Sequence, residues 1–278
     1  MFSVVIPAYN CERTIKRVLD SVKDQTRFDL IEEMIVINDG SSDRTDKIIS
    51  EYISGHPWMP FIYLKHRHHG VSYTRNRGIR AASAQWIALL DADDIWMEQK
   101  LERQAQVLKS NPHIYFLGAQ APLRVFLRRR HGVCRMTARD VCIRSCPSTS
   151  SVVFQREAGE RLGLFRERRQ YGEDHQFFQR FLLYDSYYIL AENLVRISIQ
   201  KRYFGESGLT SNLKKCCEGR EKNIRELYQM GLIGRCYMIL MLAFSRMKYV
   251  RRRLIRFADE CRYFPGMLHE RQRHSETK

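Results

Sequence analysis

Asp91-Ala92-Asp93-Asp94 places three carboxylates within four residues, directly after the apolar run Trp86–Leu90. Like charges this close repel unless a cation sits among them, and hard oxygen ligands suit Mg²⁺ or Mn²⁺. The pattern points to Asp91 or Asp93 as ligand of an ion shared with substrate phosphates. The plainer alternative is an Asp-rich turn capping the next helix, which suits Asp94. A second candidate is Asp39, in Val36-Ile37-Asn38-Asp39-Gly40-Ser41-Ser42-Asp43-Arg44-Thr45. Here a strand runs into Asp39, Gly40 permits a sharp turn, and Ser41, Ser42 or Asp43 can cap a helix. An ordinary strand-to-helix loop explains Gly-Ser-Ser and leaves Asp39 over, at a strand end where it can accept from a base imide N–H or a ribose hydroxyl.

The stretch His69-Gly70-Val71-Ser72-Tyr73-Thr74-Arg75-Asn76-Arg77-Gly78 contains neither the Walker lysine pattern nor GxGxxG, so it is no phosphate-cradling loop. It does set Arg75 on a helix near the aspartates, where it can neutralise them, contact a ligand, or both. Glu173-Asp174 follows Gly172 at the head of an expected helix, His175–Leu183. N-capping accounts for one of these acids and leaves the other available as a general base. His66, His68 and His69 read as a polar loop rather than metal ligands.

These residues need a scaffold, and the first 120 positions predict one. β-branched runs at Val4–Pro7, Met34–Asn38, Phe61–Lys65, Trp86–Leu90 and Tyr115–Leu117 alternate with helical spacing at Thr14–Val22, Asp43–Ile53, Val71–Ala82 and Met97–Leu108. Such alternation predicts an α/β fold with a mostly parallel sheet. Ligands bind beyond the carboxyl ends of its strands, where Asn10, Asp39 and Asp91 stand. From Ala121 the alternation breaks. Residues 121–150 are basic and irregular, Cys146–Ser151 reads as a loop, Val152–Gln155 as a strand, and 187–200 as extended. From about Cys216 the pattern is helical, ending in a polar tail, Arg271–Lys278, expected to be disordered.

At 44% hydrophobic, the 278 residues can build a full core, which excludes wholesale disorder. The longest apolar run, Cys236–Phe244, is nine residues, far short of the roughly 20 a spanning helix needs. The chain opens on strand-like Phe2–Pro7 without a signal-peptide pattern. The eight cysteines form no CxxC pair. A reduced cytosolic protein is expected. The net charge is +16, and residues 214–256 hold twelve Lys and Arg against three Glu. With Arg128-Arg129-Arg130, this asymmetry calls for an anionic partner or a solvated basic face.

In this order and spacing, Ser3-Val4-Val5-Ile6-Pro7-Ala8-Tyr9-Asn10, Val36–Thr45, Gly70–Ile79 and Ala88–Trp96 resemble the inverting nucleotide-sugar glycosyltransferases of family 2, with the GT-A fold. Gly163-Leu164-Phe165-Arg166-Glu167 followed by Gly172-Glu173-Asp174 adds a weaker match. The similarity covers roughly residues 1–185. It implies a GT-A (Rossmann-like) mixed sheet flanked by helices, with residues 1–120 as the nucleotide-sugar half. Residues 121–213 would be the acceptor and catalytic-base half, and 214–278 a basic helical extension. It also implies that Pro7, Ala8, Tyr9, Asn10 and Ala92 line the nucleotide pocket, and that Asp39 contacts uracil. Arg75 would lie beside the base or diphosphate. Asp91 and Asp93 would form a DxD element, with Asp93 the direct ligand of Mn²⁺ or Mg²⁺. Asp174 is the implied catalytic base, with Glu173 beside it. Two departures stand out. Ala84-Gln85 replaces the usual Gly-Glu or Gly-Asp, and Arg166 stands where the family carries Asp.

The implied activity moves a sugar from a UDP-sugar to a hydroxyl of a glycan acceptor in polysaccharide biosynthesis. A sugar nucleotidyltransferase would use a similar rim, but its glycine-rich basic N-terminal loop is missing. A nucleic-acid-binding module would explain the charge, yet no helix-turn-helix, RRM or zinc pattern appears, and none is expected as a partner. Finally, Leu240, Phe244, Met247, Val250, Leu254 and Phe257 recur three or four apart among arginines. That spacing predicts a helix over 236–257 that lies on an anionic membrane or packs onto the catalytic domain. For a transferase of the kind the resemblance implies, the membrane would be the inner face of the cell membrane and the acceptor polyprenyl-diphosphate-linked.

Overall fold

The computed structural model describes residues 1–120, 132–143, 147–197 and 212–263. The Arg128-Arg129-Arg130 cluster, Cys146 and the Arg271–Lys278 tail lie outside the described residues. The chain divides into two compact units near residue 198.

In the first unit the alternation holds closely. The elements are β1 (Phe2–Ala8), α1 (Ile15–Lys23), β2 (Ile31–Asp39), α2 (Thr45–Gly55), β3 (Phe61–His66), α3 (Val71–Ala81), β4 (Trp86–Leu89), β5 (Ile95–Trp96), α4 (Lys100–Ser110) and β6 (Phe116–Gln120). There follow β7 (Val133–Arg135), α5 (Ala138–Ile143), β8 (Val153–Gln155), α6 (Arg156–Arg161), α7 (Glu173–Phe178), β9 (Tyr188–Asn193) and β10 (Val195–Arg196).

Among the described residues the main sheet runs β3-β2-β1-β4-β8-β6-β9-β7. Strands β1, β2, β3 and β4 are parallel, and β8 lies antiparallel between β4 and β6. The order reverses between β1 and β4, which opens the crevice where ligands of such sheets bind. Strand β1 is apolar on both faces, as a strand covered by helices on each side must be: Val4, Ile6 and Ala8 join one core cluster, and Val5 packs toward α3. Helix α3 approaches the sheet closely at Gly78, where a Cβ would fall 2.5 Å from Val5 Cγ1 and 2.7 Å from Ile37 Cδ1.

Two expectations need correction. The helix after the aspartates starts at Lys100, beyond β5, so Asp94 does not cap it. It is instead buried and accepts from the Ser150 hydroxyl at 2.6 Å. The helix expected over His175–Leu183 begins at Glu173 and tightens into a 3₁₀ turn over Gln179–Tyr184. Gly172, at φ 68°, is its N-cap. Neither acid caps the helix; both lie in its first turn.

The second unit contains α8 (Leu213–Gln229) and α9 (Arg235–Tyr263). Asn212 caps α8, accepting from the Lys215 N–H at 3.0 Å. The two helices form an antiparallel hairpin held by buried Ile224, Leu227 and Met241 and by an Arg246–Glu221 ion pair at 3.1 Å.

Candidate active site

Helix α3 brings the separate motifs together. Its Arg75 is only 4% exposed and donates from Nη2 to Asp91 Oδ1 at 2.7 Å. Arg75 Nη1 lies 3.7 Å from Glu173 Oε1, and the guanidinium sits 5.3 Å from the Phe165 ring centroid. Among the described residues, Nε and Nη1 are buried without a hydrogen-bond partner. A buried cation with spare donors is costly to keep unless something anionic uses them. One residue on, Asn76 donates to the Phe165 carbonyl at 2.8 Å and to Glu167 at 3.0 Å, and accepts from the Phe165 N–H at 2.9 Å. The weak 163–167 match is thereby locked against α3.

Burial and the neighbouring Asp174 charge push Glu173 up to about 7, although Arg75 works in the opposite direction. Asp174 is more open than Glu173, and its Oδ1 accepts from the His175 N–H at 2.7 Å. Glu173 is thereby biased toward its protonated form beside a more solvent-open acid. A carboxyl perturbed by burial and a charged neighbour commonly marks a functional site.

Beyond β4, Asp91 is partly buried and Asp93 exposed. The loop is set by Ser150, which is fully buried. Its hydroxyl accepts from the Asp91 N–H at 3.0 Å and donates to Asp94, and its carbonyl accepts from Trp96 Nε1 at 2.7 Å. Thr14 donates to the Ala92 carbonyl at 2.7 Å, tying the same loop to α1.

A second group gathers at the ends of β1, β2 and β3. Asp39 is 2% exposed and accepts from the backbone N–H of His69 at 2.8 Å and of Gly70 at 2.9 Å. The Nδ1 atoms of His66 and His68 lie 3.2 and 3.0 Å from its oxygens. Asp39 therefore pins the 66–70 loop, a structural task that its strand-end position alone did not reveal. The exposed Tyr9 ring stacks on His68 at 4.2 Å. Asn10, at φ 46°, accepts from the Ser42 N–H at 2.9 Å, joining the loops after β1 and β2. Pro7 is half-buried, whereas Ala8 is fully buried in the core.

A family model described as glycosyl transferase family 2 matches residues 3–141, half of the chain. The chain belongs to glycosyl transferase family 2. An uncharacterized glycosyltransferase of Haemophilus influenzae is 30% identical over 118 residues, covering 42% of this chain and 37% of that protein. The Escherichia coli UDP-Glc:alpha-D-GlcNAc-diphosphoundecaprenol beta-1,3-glucosyltransferase WfgD is 34% identical over 119 residues, covering 42% of this chain and 45% of its own. The matched segment thus spans less than half of either relative. The fold is shared more widely. Staphylococcus aureus TarS 1-349 in complex with UDP-GlcNAc superposes with a TM-score of 0.67 at 18% identity, covering 88% of this chain and 71% of that one. The Pyrobaculum calidifontis mannosyltransferase PcManGT, in complex with GDP-Man and Mn²⁺, gives 0.66 at 16%, covering 95% and 81%.

Among the described residues no group of three His, Cys, Asp or Glu could cage a metal. The family-2 aspartates still fit a divalent ion of another kind. Asp91 has one oxygen on Arg75 and a second one left, and Asp93 is exposed two residues away. One or two carboxylates completed by phosphate oxygens and water is how Mg²⁺ and related ions commonly bind. Ser150 and Asn76 are the residues that sequence spacing did not mark; the only hint of Ser150 was the run of hydroxyls from Ser148 to Ser151.

Proposed function

We propose that the protein transfers a sugar from a nucleotide-diphospho-sugar, UDP-linked, to a hydroxyl of a glycan acceptor, with inversion at the anomeric carbon and dependence on a divalent metal. The observation that carries this reading is Arg75, a buried cation between Asp91 and Glu173 whose Nε and Nη1 make no hydrogen bond among the described residues, Nη1 reaching Glu173 only at 3.7 Å. A diphosphate leaving group would use those donors as its charge grows.

Asp174 takes the proton of the acceptor hydroxyl as its oxygen bonds to the anomeric carbon. The bond from that carbon to the phosphate oxygen breaks, its electron pair goes onto the leaving nucleoside diphosphate, and the sugar inverts in a single displacement. Arg75 offsets the developing charge. Tyr9, His68 and the Asp39-braced loop would seat the base, and Asp91 and Asp93 would hold Mn²⁺ or Mg²⁺, which supplies Lewis-acid charge to the diphosphate. Glu173 keeps Arg75 turned toward the site.

The further reading is a polyprenyl-diphosphate-linked acceptor in surface polysaccharide synthesis, met by a peripheral enzyme at the cytoplasmic face of the membrane. The GlcNAc-diphosphoundecaprenol acceptor named for the Escherichia coli relative WfgD supports it. So does the fact that no helix among the described residues is long and apolar enough to cross a membrane. A panel of UDP-, GDP- and dTDP-sugars with Mn²⁺ tests the proposal. Metal-dependent release of UDP from a UDP-sugar is expected. Release of pyrophosphate from a nucleoside triphosphate and a sugar phosphate would instead make the protein a nucleotidyltransferase.

A further inference from the structure

Helix α9 turns an apolar face outward. Ile239, Leu240, Met247, Val250 and Leu254 are 53–64% exposed, and Cys236 and Ala243 are exposed as well. At 100° per residue, all seven fall within one stripe about 100° wide, running roughly 27 Å along the helix. The opposite face, with Met241 and Ser245 buried, packs on α8. This differs from the stripe that sequence spacing alone predicts: Phe244 is half-buried beneath the Lys248 ammonium, and the side chain of Phe257 lies outside the described residues. Ile239 and Ala243 take their places.

The flanks are cationic. Arg253 borders the stripe on one side, beside Arg246, which is paired with Glu221, and Arg251 borders it on the other; all three are exposed. Positive charge is dense enough nearby that Arg220 and Arg252 add to burial in pulling Lys248 down to about 8. An aqueous partner protein of mixed charge does not call for this arrangement. An anionic lipid surface does, because headgroups meet the arginines while the stripe enters the acyl boundary.

We infer that the Cys236–Leu254 face of α9 is a docking surface for an anionic lipid bilayer, with the helix lying in the plane of the interface. This deepens the membrane reading above by naming the surface, and its test is independent of sugar transfer.

The test uses the full chain and vesicles of phosphatidylcholine with and without phosphatidylglycerol. The protein should sediment with phosphatidylglycerol vesicles at low salt, be released at high salt, and stay in solution with phosphatidylcholine alone. The Met247→Asp/Leu254→Asp double variant changes exposed positions only, so helical content should hold while vesicle binding falls about tenfold or more. Met247→Trp should add a blue-shifted emission component that brominated lipid quenches. Undiminished sedimentation of the double Asp variant, or an added tryptophan that remains unquenched, overturns the inference. So does a larger solution mass that the double variant reduces, since the face would then join copies of this chain. Vesicle binding without any nucleotide-sugar turnover would instead overturn the enzymatic reading alone.

Discussion

Arg75 Nη2 lies 2.7 Å from Asp91 Oδ1, and both groups are largely withdrawn from water. This pair couples the aspartate loop to α3, and through Arg75 Nη1 the coupling continues to Glu173. A charge-assisted contact in such surroundings is stronger than one at the surface, and breaking it by removing one partner leaves the other buried and uncompensated.

Arg75→Ala and Arg75→Lys should therefore both weaken UDP binding, by about 10- to 100-fold, because an ammonium cannot supply the planar fork that spans two carboxylates and a ligand. Isothermal titration with UDP checks this. Full rescue by lysine would mean that the charge alone matters.

Asp93→Ala should abolish metal-dependent turnover, and Asp91→Ala should damage both turnover and folding, since the Asp91 carboxylate also bonds the buried Arg75 guanidinium. Rates measured across an Mn²⁺ series, alongside melting curves, separate the two effects. Near-native activity of Asp93→Ala with Mn²⁺ present would remove that residue from the site.

Asp174→Asn should leave UDP-sugar binding nearly intact and lower turnover by roughly 10²–10⁴-fold, the usual contribution of a general base. A comparable loss in donor affinity would make Asp174 structural and shift the role to Glu173.

Glu173 carries a sign that stability measurements can read. Its pKa is raised to about 7 from an unfolded value of about 4.3, so across that interval the folded state binds the extra proton. Stability conferred by the protonated form is complete below the unfolded value and is lost as pH rises through 7. Glu173→Gln, fixed neutral, should escape that loss. Denaturant unfolding at several pH values should therefore show wild type falling relative to the variant as pH rises, and parallel curves would refute the assignment.

Ser150→Ala should cost about 1–3 kcal/mol, because the Asp91 N–H and the buried Asp94 carboxylate each lose a partner. If Ser150 positions the aspartate loop, the apparent Mn²⁺ requirement should rise as well, and Ser150→Thr should recover part of it. A stability loss with unchanged metal dependence would leave Ser150 a core residue only.

Much of this was written locally. The β-branched and helical runs of the first 120 residues predicted the helices and every strand but the two-residue β5 to within a few positions, because parallel strands covered on both faces and the inner face of each helix are apolar. The acids at the ends of β2 and β4 were visible for the same reason: a charge where an apolar run stops must leave the core. Boundaries failed where tertiary contacts took over. Asp94 looked like a cap and is a buried acceptor for a hydroxyl 56 residues away, and Glu173-Asp174 looked like capping residues and entered the helix itself.

By itself, the sequence determined the alternating architecture, the acidic rim on a basic chain and the four motifs of a family-2 enzyme, since each is a short-range pattern of residue types. Only the tertiary structure decided that Arg75, Asp91 and Glu173 meet, that Ser150 braces the aspartate loop, that Asp39 holds the histidine loop, and which stripe of α9 faces outward. Those facts depend on chain segments far apart in sequence closing on one another, and on the burial and electric field their closure creates. No local spacing records either.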